Sequence, residues 1–238
     1  MNAILQSVCN NYEDIISITS PVNQRYAKEV GAEYVLHKQK FEHDRNPSWN
    51  KIYSTISLFE EGYDYVCFLD GDAMVVDHSR NIFDLATNPK SLSDYIGDND
   101  GVLFHVCAED IRKSFSICMG VFLIKRDPLM LRFLNDVLNY EDEHFFMNWA
   151  WEQSAAQEIL RRDSELYKDV VKIYTNSYFN NTGNWVFHTK MKPCKGPGSS
   201  ELNRNNQKMR LLEEKLGLPA RPAVFTPEAL RLLEKKGH

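Results

Sequence analysis

The chain has 238 residues, 43% of them hydrophobic and 26% charged, with a formal net charge of −5. That balance excludes a disordered chain, and the length suits one sizeable domain with room for an appended segment. The acidic balance, with Lys and Arg scattered until the C-terminal third, argues against nucleic acid as the main partner. Five cysteines (Cys9, Cys67, Cys107, Cys118, Cys194) make no Cys-x-x-Cys pair, and four stand in apolar stretches where a thiol acts as a small hydrophobe. A reducing compartment fits that usage. With no signal peptide and no run of about twenty apolar residues, the expectation is a soluble, cytoplasmic protein without a membrane span.

Ala3–Cys9 reads as a first short apolar strand. A helix is expected over Pro21–Val30, with Ser20 as N-cap, Pro21 at its first position and Gly31 at its end. Glu33–Leu36 is a brief second strand. Trp49–Glu61 then carries Ile52, Tyr53, Ile56, Leu58 and Phe59 on a helical stripe closed by Gly62. Tyr65–Leu69 is a buried third strand. This alternation predicts an α/β fold with a parallel sheet and helices on both faces, whose ligands bind beyond the C-terminal ends of the strands. Later strands are expected at Gly101–Val106, Ile117–Lys125, Val170–Tyr174 and Asn184–His188, with helices at Pro128–Asn139 and Trp149–Arg162. Residues 1–195 read as the main domain. The Pro- and Gly-rich stretch 193–200 leads into a C-terminal helical extension, 196–238, with amphipathic helices at Asn205–Leu216 and Pro227–Lys236 that would cover the sheet or mediate a dimer.

The third strand runs straight into Asp70-Gly71-Asp72. Two carboxylates one residue apart make a hard, oxygen-rich site suited to Mg²⁺ or Mn²⁺ carrying substrate phosphates. Gly71 removes a side chain where a diphosphate would approach the backbone. The pattern reads as a metal–diphosphate site for a nucleotide-sugar, although Asp-Gly also makes an ordinary turn.

Several segments in order carry a resemblance. Asn23-Gln24-Arg25-Tyr26-Ala27, Trp49-Asn50-Lys51, Phe68-Leu69-Asp70-Gly71-Asp72, Cys118-Met119-Gly120-Val121-Phe122, Trp151-Glu152-Gln153 and Trp185-Val186-Phe187-His188-Thr189-Lys190 together resemble GT-A glycosyltransferases. The likeness is to the galactosyl-, mannosyl- and xyloglucan xylosyl-transferase family, over roughly residues 3–195. Two departures stand out: Cys118 replaces the Asn of that family, and the Gly that glycogenin-like proteins carry after the His is absent beyond His188.

The resemblance implies transfer of a hexose or pentose from a nucleoside-diphosphate sugar, UDP-linked by preference, to a glycan hydroxyl with retention of configuration. It implies that Asp70, Asp72 and His188 hold Mn²⁺ or Mg²⁺ on the donor phosphates, where the ion neutralises charge on the leaving nucleoside diphosphate. It places Tyr12 on the base, Arg25 on the nucleotide, Lys51 on the donor sugar, Gly71 and Gly120 against the donor, and Lys190 and Lys192 on the diphosphate. Glu152 and Gln153 are the reaction-centre candidates, since a carboxylate can deprotonate an acceptor hydroxyl or stabilise oxocarbenium charge and an amide oxygen can do the second. By residue type alone these side chains also fit a core His, surface charges, a loop Tyr and a helix N-terminus. Two other readings stand beside this one. One is a GT-A module that binds a nucleotide-sugar without transfer. The other is a haloacid-dehalogenase-type phosphatase with Asp70 as nucleophile and Lys125 as its downstream lysine.

Overall fold

The computed structural model describes residues 1–8, 12–38, 45–92, 99–142, 144–147, 150–175, 177–180, 184–189 and 201–218. In chain order the elements are β1 (Asn2–Ser7), α1 (Glu13–Glu29), β2 (Glu33–His37), α2 (Asn50–Glu60), β3 (Tyr65–Asp70), β4 (Ala73–Val75), α3 (Asp84–Thr87), β5 (Phe104–Ala108) and β6 (Ile117–Lys125). They continue as α4 (Pro128–Leu138), α5 (His144–Met147), α6 (Trp151–Arg162), α7 (Ser164–Tyr167), β7 (Val171–Tyr174), β8 (Val186–His188) and α8 (Glu201–Lys215). Six strands form one sheet in the order β2-β1-β3-β6-β5-β7. Pairing is parallel for β1 with β2 and β3 and for β5 with β7, while β6 runs antiparallel to β3 and β5. The result is a mixed, mainly parallel α/β sheet. A separate antiparallel ribbon joins β4 to β8.

Alternation explains why both faces are covered. Ala3, Leu5, Val66 and Phe68 enter one core, and Ile4, Cys67 and Leu69 enter the other. The first core is roofed by α2, α4, α6 and α7, and its rings touch in a chain from Phe68 to Phe122 (5.2 Å), Phe104 and Phe133 (5.6 Å each). Each fully buried Phe contributes about 2–3 kcal/mol of apolar transfer. The second core is closed by Tyr26 and Ala27 of α1, Leu85 of α3, and the β4–β8 ribbon with Trp185. Cys67, Cys107 and Cys118 are buried and unbridged.

The first helix differs from its expected span. It begins at Glu13, so Pro21 lies inside it and Ser20 does not cap it. Glu13 and Asp14 complement the dipole in the first turn, and the buried stripe from Ile15 to Ala27 outweighs the hydrogen bond that Pro21 forgoes. The end is as expected, with Gly31 at φ +69°. The fifth strand is displaced toward the C-terminus of its expected span.

α8 lies against its own chain. Leu212, with Met209 and Leu216, packs on Ile15 and Ile18 of α1, Met74 of β4 and Phe187 of β8. Of the two roles expected for the extension, this helix covers the ribbon beside the sheet. The loop 193–200 and the helix expected at Pro227–Lys236 lie outside the described residues. Among the described residues no helix is long and apolar enough to cross a membrane.

Candidate functional site

β3 delivers Asp70 at the C-terminal edge of the sheet, and three successive carbonyls from Asp70 to Asp72 are strapped by hydrogen bonds. Gln6 Nε2 donates to the Asp70 carbonyl at 3.1 Å, and Thr19 Oγ1 donates to that of Gly71 at 2.8 Å. The Asp72 carbonyl accepts from Thr189 N–H at 3.2 Å. Asn23 serves the free edge of β4 as another strand would, donating to the Ala73 carbonyl and accepting from Val75 N–H, both at 2.9 Å. Buried backbone groups need such partners, and the straps fix where the two carboxylates point.

The ribbon sets His188 opposite Ala73. Its Nε2 lies 3.4 Å from Asp72 Oδ1 and 3.6 Å from Asp70 Oδ2. Its Nδ1 is hydrogen-bonded to Asn180 Oδ1 at 2.9 Å, which aims Nε2 at the carboxylates. One ligand atom from each of Asp70, Asp72 and His188 falls within 4.8 Å of the others. Two hard oxygens and an imidazole nitrogen suit Mn²⁺ and accommodate Mg²⁺ less well. The floor of this cradle is Gly120. A Cβ there would stand 2.2 Å from His188 Cε1 and 2.8 Å from Asp70 Oδ2. β6 brings it in through an irregularity: Val106 pairs with Phe122, yet the next residue, Cys107, pairs with Cys118. Met119-Gly120-Val121 therefore swing away from β5 and toward the site. Cys118, at the position of the family's Asn, hydrogen-bonds the His188 ring. Burial would lower the affinity of that ring for a proton, but Asp72, Cys118 and Asp70 reverse this and carry its pKa up to about 9.

Behind Asp70 lies a buried ion chain. Lys51, 5% exposed, reaches Asp70 Oδ1 at 2.9 Å and Glu152 Oε1 at 2.8 Å, and donates to the Met119 carbonyl at 3.2 Å. Burial alone would neutralise the amine, yet the two carboxylates hold it protonated well above the usual lysine range. Burial also raises the Glu152 pKa, against the pull of Lys51 and Ser48. Trp151, just before it, holds φ +50°, a strained conformation for an aromatic residue that marks the entry to α6. Gln153 Oε1 accepts from Met119 N–H at 2.9 Å, so its carbonyl holds the strand carrying Gly120.

The other expected residues divide. Tyr12 is at the site: its Cδ1, like Val8 Cγ1, would stand 3.2 Å from a Cβ placed on Gly71, so protein packing also favours glycine there. Arg25 is not brought there. It is 77% exposed on α1, pairs with Glu29 at 2.9 Å, and lines a surface hollow with Lys28 and Tyr34. Within its motif the buried members are Asn23, Tyr26 and Ala27; Tyr26 ties the chain at Arg80 and Ile82. Lys190 and Lys192 lie outside the described residues. Lys125 pairs with Tyr65 at the opposite end of β3, about 16 Å of strand from Asp70, which removes the lysine that the phosphatase reading needs.

Sequence reasoning missed Lys208. It comes from α8, is 6% exposed, and sets its ammonium 2.5 Å from Asp72 Oδ2 and 3.0 Å from the Tyr12 hydroxyl. Asp72 answers to it and to His188, and its carboxyl is held well below the usual range although burial opposes this. The overlooked signal was a lysine in register with Asn205, Met209, Leu212 and Leu216 on the inner stripe of an amphipathic helix. Gln6 and Thr19 were missed too; each is a polar residue interrupting an apolar stretch.

The chain superposes on the glycosyltransferase involved in glycosylation of the major capsid of PBCV-1 with a TM-score of 0.60 and 13% identity, over 87% of this chain and 98% of that one. It superposes on the glycosyltransferase GlyE of Streptococcus pneumoniae TIGR4 with a TM-score of 0.50 and 14% identity, over 94% of this chain and 66% of that one. At such identities the likeness is one of fold, and the fold is GT-A-like. No protein-family model and no curated protein matches the chain, so the narrower likeness to the galactosyl-, mannosyl- and xylosyl-transferase family rests on the sequence motifs.

Proposed function

We propose that this chain is a metal-dependent glycosyltransferase that moves a sugar from a nucleoside-diphosphate sugar to a hydroxyl of a glycan. The observation that carries the reading is the convergence of Asp70, Asp72 and His188 at the C-terminal edge of a GT-A-like sheet, over a glycine that leaves no room for a side chain. Those three residues would hold Mn²⁺, or Mg²⁺. The ion would supply positive charge to the departing diphosphate. Lys51 holds Asp70 in place through their ion pair, and Glu152 in turn fixes Lys51. Glu152 is our candidate to serve an acceptor hydroxyl or a developing positive charge, while Gln153 positions the Gly120 strand through Met119. UDP is the first nucleotide to test, with Tyr12 at the mouth of the site to meet the base.

Calorimetric titration of UDP, GDP and dTDP into the protein, with Mn²⁺ and with EDTA, tests this on wild type and Asp72→Ala. Micromolar binding of one nucleotide that requires both the metal and Asp72 is expected, followed by slow hydrolysis of the matching sugar donor. No binding of any of the three would overturn the reading.

A further inference from the structure

α8 buries a lysine where an amphipathic helix ordinarily places an apolar residue. A buried ammonium is costly unless paired, and among the described residues this one is paired at the candidate site. Lys208 Nζ touches Asp72 Oδ2 at 2.5 Å and the Tyr12 hydroxyl at 3.0 Å, and stands 5.1 Å from the centre of the Tyr12 ring. Its helix is anchored by Leu212, Met209 and Leu216 against α1 and the β4–β8 ribbon, so the ammonium is delivered by packing from outside the sheet.

Two physical requirements meet there. A divalent ion on Asp70, Asp72 and His188 has to share or displace the positive charge already seated on Asp72. A diphosphate arriving with that ion brings anionic oxygens that need a second cation. An ammonium has three donors on a flexible stem, and Asp72 and Tyr12 occupy two of them. Small rotations of the Lys208 stem would exchange the carboxylate for a phosphate oxygen while Tyr12 remains within reach.

Resting on the donor site proposed above, we propose that Lys208 is a diphosphate-binding residue supplied by α8, which seats its ammonium on Asp72 in the free protein and transfers it to a donor phosphate when the metal enters. α8 is then part of the donor site, and truncation before it would leave the sheet without one of its phosphate ligands.

The test measures binding of Mn²⁺ alone by electron paramagnetic resonance and of UDP with saturating Mn²⁺ by calorimetry. The proteins are wild type, Lys208→Met and, as a control on the exposed face of α8, Arg210→Ala. Lys208→Met is expected to bind Mn²⁺ alone at least threefold more tightly, because no ammonium competes for Asp72. It is expected to bind UDP with Mn²⁺ at least tenfold more weakly, because a phosphate contact is lost. Arg210→Ala should match wild type in both. Opposite shifts separate this role from simple damage, which would weaken both. Should Lys208→Met release α8, seen as faster amide exchange over that helix, Lys208→Gln keeps polar contact with Tyr12 and must give the same pair of shifts. If wild type binds UDP with Mn²⁺ and either shift is missing, the assignment of Lys208 is overturned while the donor site stands. If wild type binds none of UDP, GDP or dTDP, the donor site itself fails and Lys208 with it.

Discussion

Gly120→Ala probes whether the three candidate ligands converge because the backbone passes directly beneath them. The added methyl would lie 2.2 Å from His188 Cε1, where ordinary contact begins at 3.4 Å, so the ring must withdraw by about 1.2 Å. The backbone at 120 lies outside the left-handed region, so the cost is contact and not conformational strain. Withdrawal is opposed by the 2.9 Å hydrogen bond from the ring to buried Asn180 and by Cys118 on the same ring. Breaking that bond costs about 1–3 kcal/mol, and overpacking that does not relax costs about as much again. We expect a loss of about 2–6 kcal/mol in urea unfolding and a loss of roughly tenfold or more in Mn²⁺ affinity by paramagnetic resonance. Gly71→Ala is the internal comparison. Its methyl would meet Tyr12 and Val8 side chains at 3.2 Å, which a few tenths of an ångström relieve, so about 1 kcal/mol is expected. A Gly120→Ala protein with wild-type stability and wild-type Mn²⁺ affinity would refute the reasoning.

Lys51→Met leaves the Glu152 carboxylate, 3% exposed, without its 2.8 Å partner and should cost about 3–5 kcal/mol in urea unfolding. Adding Glu152→Gln should recover part of that loss, and a double variant no more stable than the single one would show that the pair is not coupled. His105 gives a separate pH dependence. It is fully buried, hydrogen-bonded through Nδ1 to the Tyr174 hydroxyl at 2.9 Å and paired in register with Lys172; burial, with help from Lys172, pushes its pKa down to about 3 from 6.5. Its contribution to stability is therefore complete above pH 6.5 and is lost as pH falls toward 3, because only the unfolded chain takes up the proton. Between pH 7 and pH 4 that amounts to about 3 kcal/mol, and His105→Gln should flatten the urea midpoint over this range; an unchanged acid limb would place the buried histidine's proton uptake elsewhere.

The sequence was most legible where a single period ruled. The apolar runs of β1, β3 and β6 and the stripe of α2 are each dictated by burial, and their spans emerge within a residue or two. The carboxylates were legible because a charge ending a buried strand has few structural reasons to be there. Arg25 and Asn23 show the limit. Both belong to one motif, but helical geometry turns Arg25 to solvent and Asn23 onto the edge of β4, and no linear pattern says which of two neighbours faces inward without the whole stripe. The early start of α1 was hidden because a Ser-Pro pair looks like a helix start, whereas the true one has no side-chain cap at Tyr12. Lys208 was hidden for a different reason: its partner, Asp72, is 136 residues away, and only tertiary packing brings α8 back over the ribbon.

The two lysines of the site differ in a way that bears on which of them can move. Lys51 is held between two carboxylates and a carbonyl, all within 3.2 Å, on a helix whose opposite end is locked into the main core. Releasing it would leave buried Glu152 without its counter-ion and beside half-buried Asp70, a like charge, so it is a fixed counter-ion. Lys208 faces one carboxylate and one phenol, from a helix held by a small apolar cluster at the margin of the molecule. Releasing it leaves Asp72 with the Thr189 hydroxyl at 2.9 Å and His188 at 3.4 Å, and an incoming divalent ion would compensate that carboxylate at once. The sheet side of the site is therefore preset in charge and geometry, and the exchange of cations is confined to the side closed by α8.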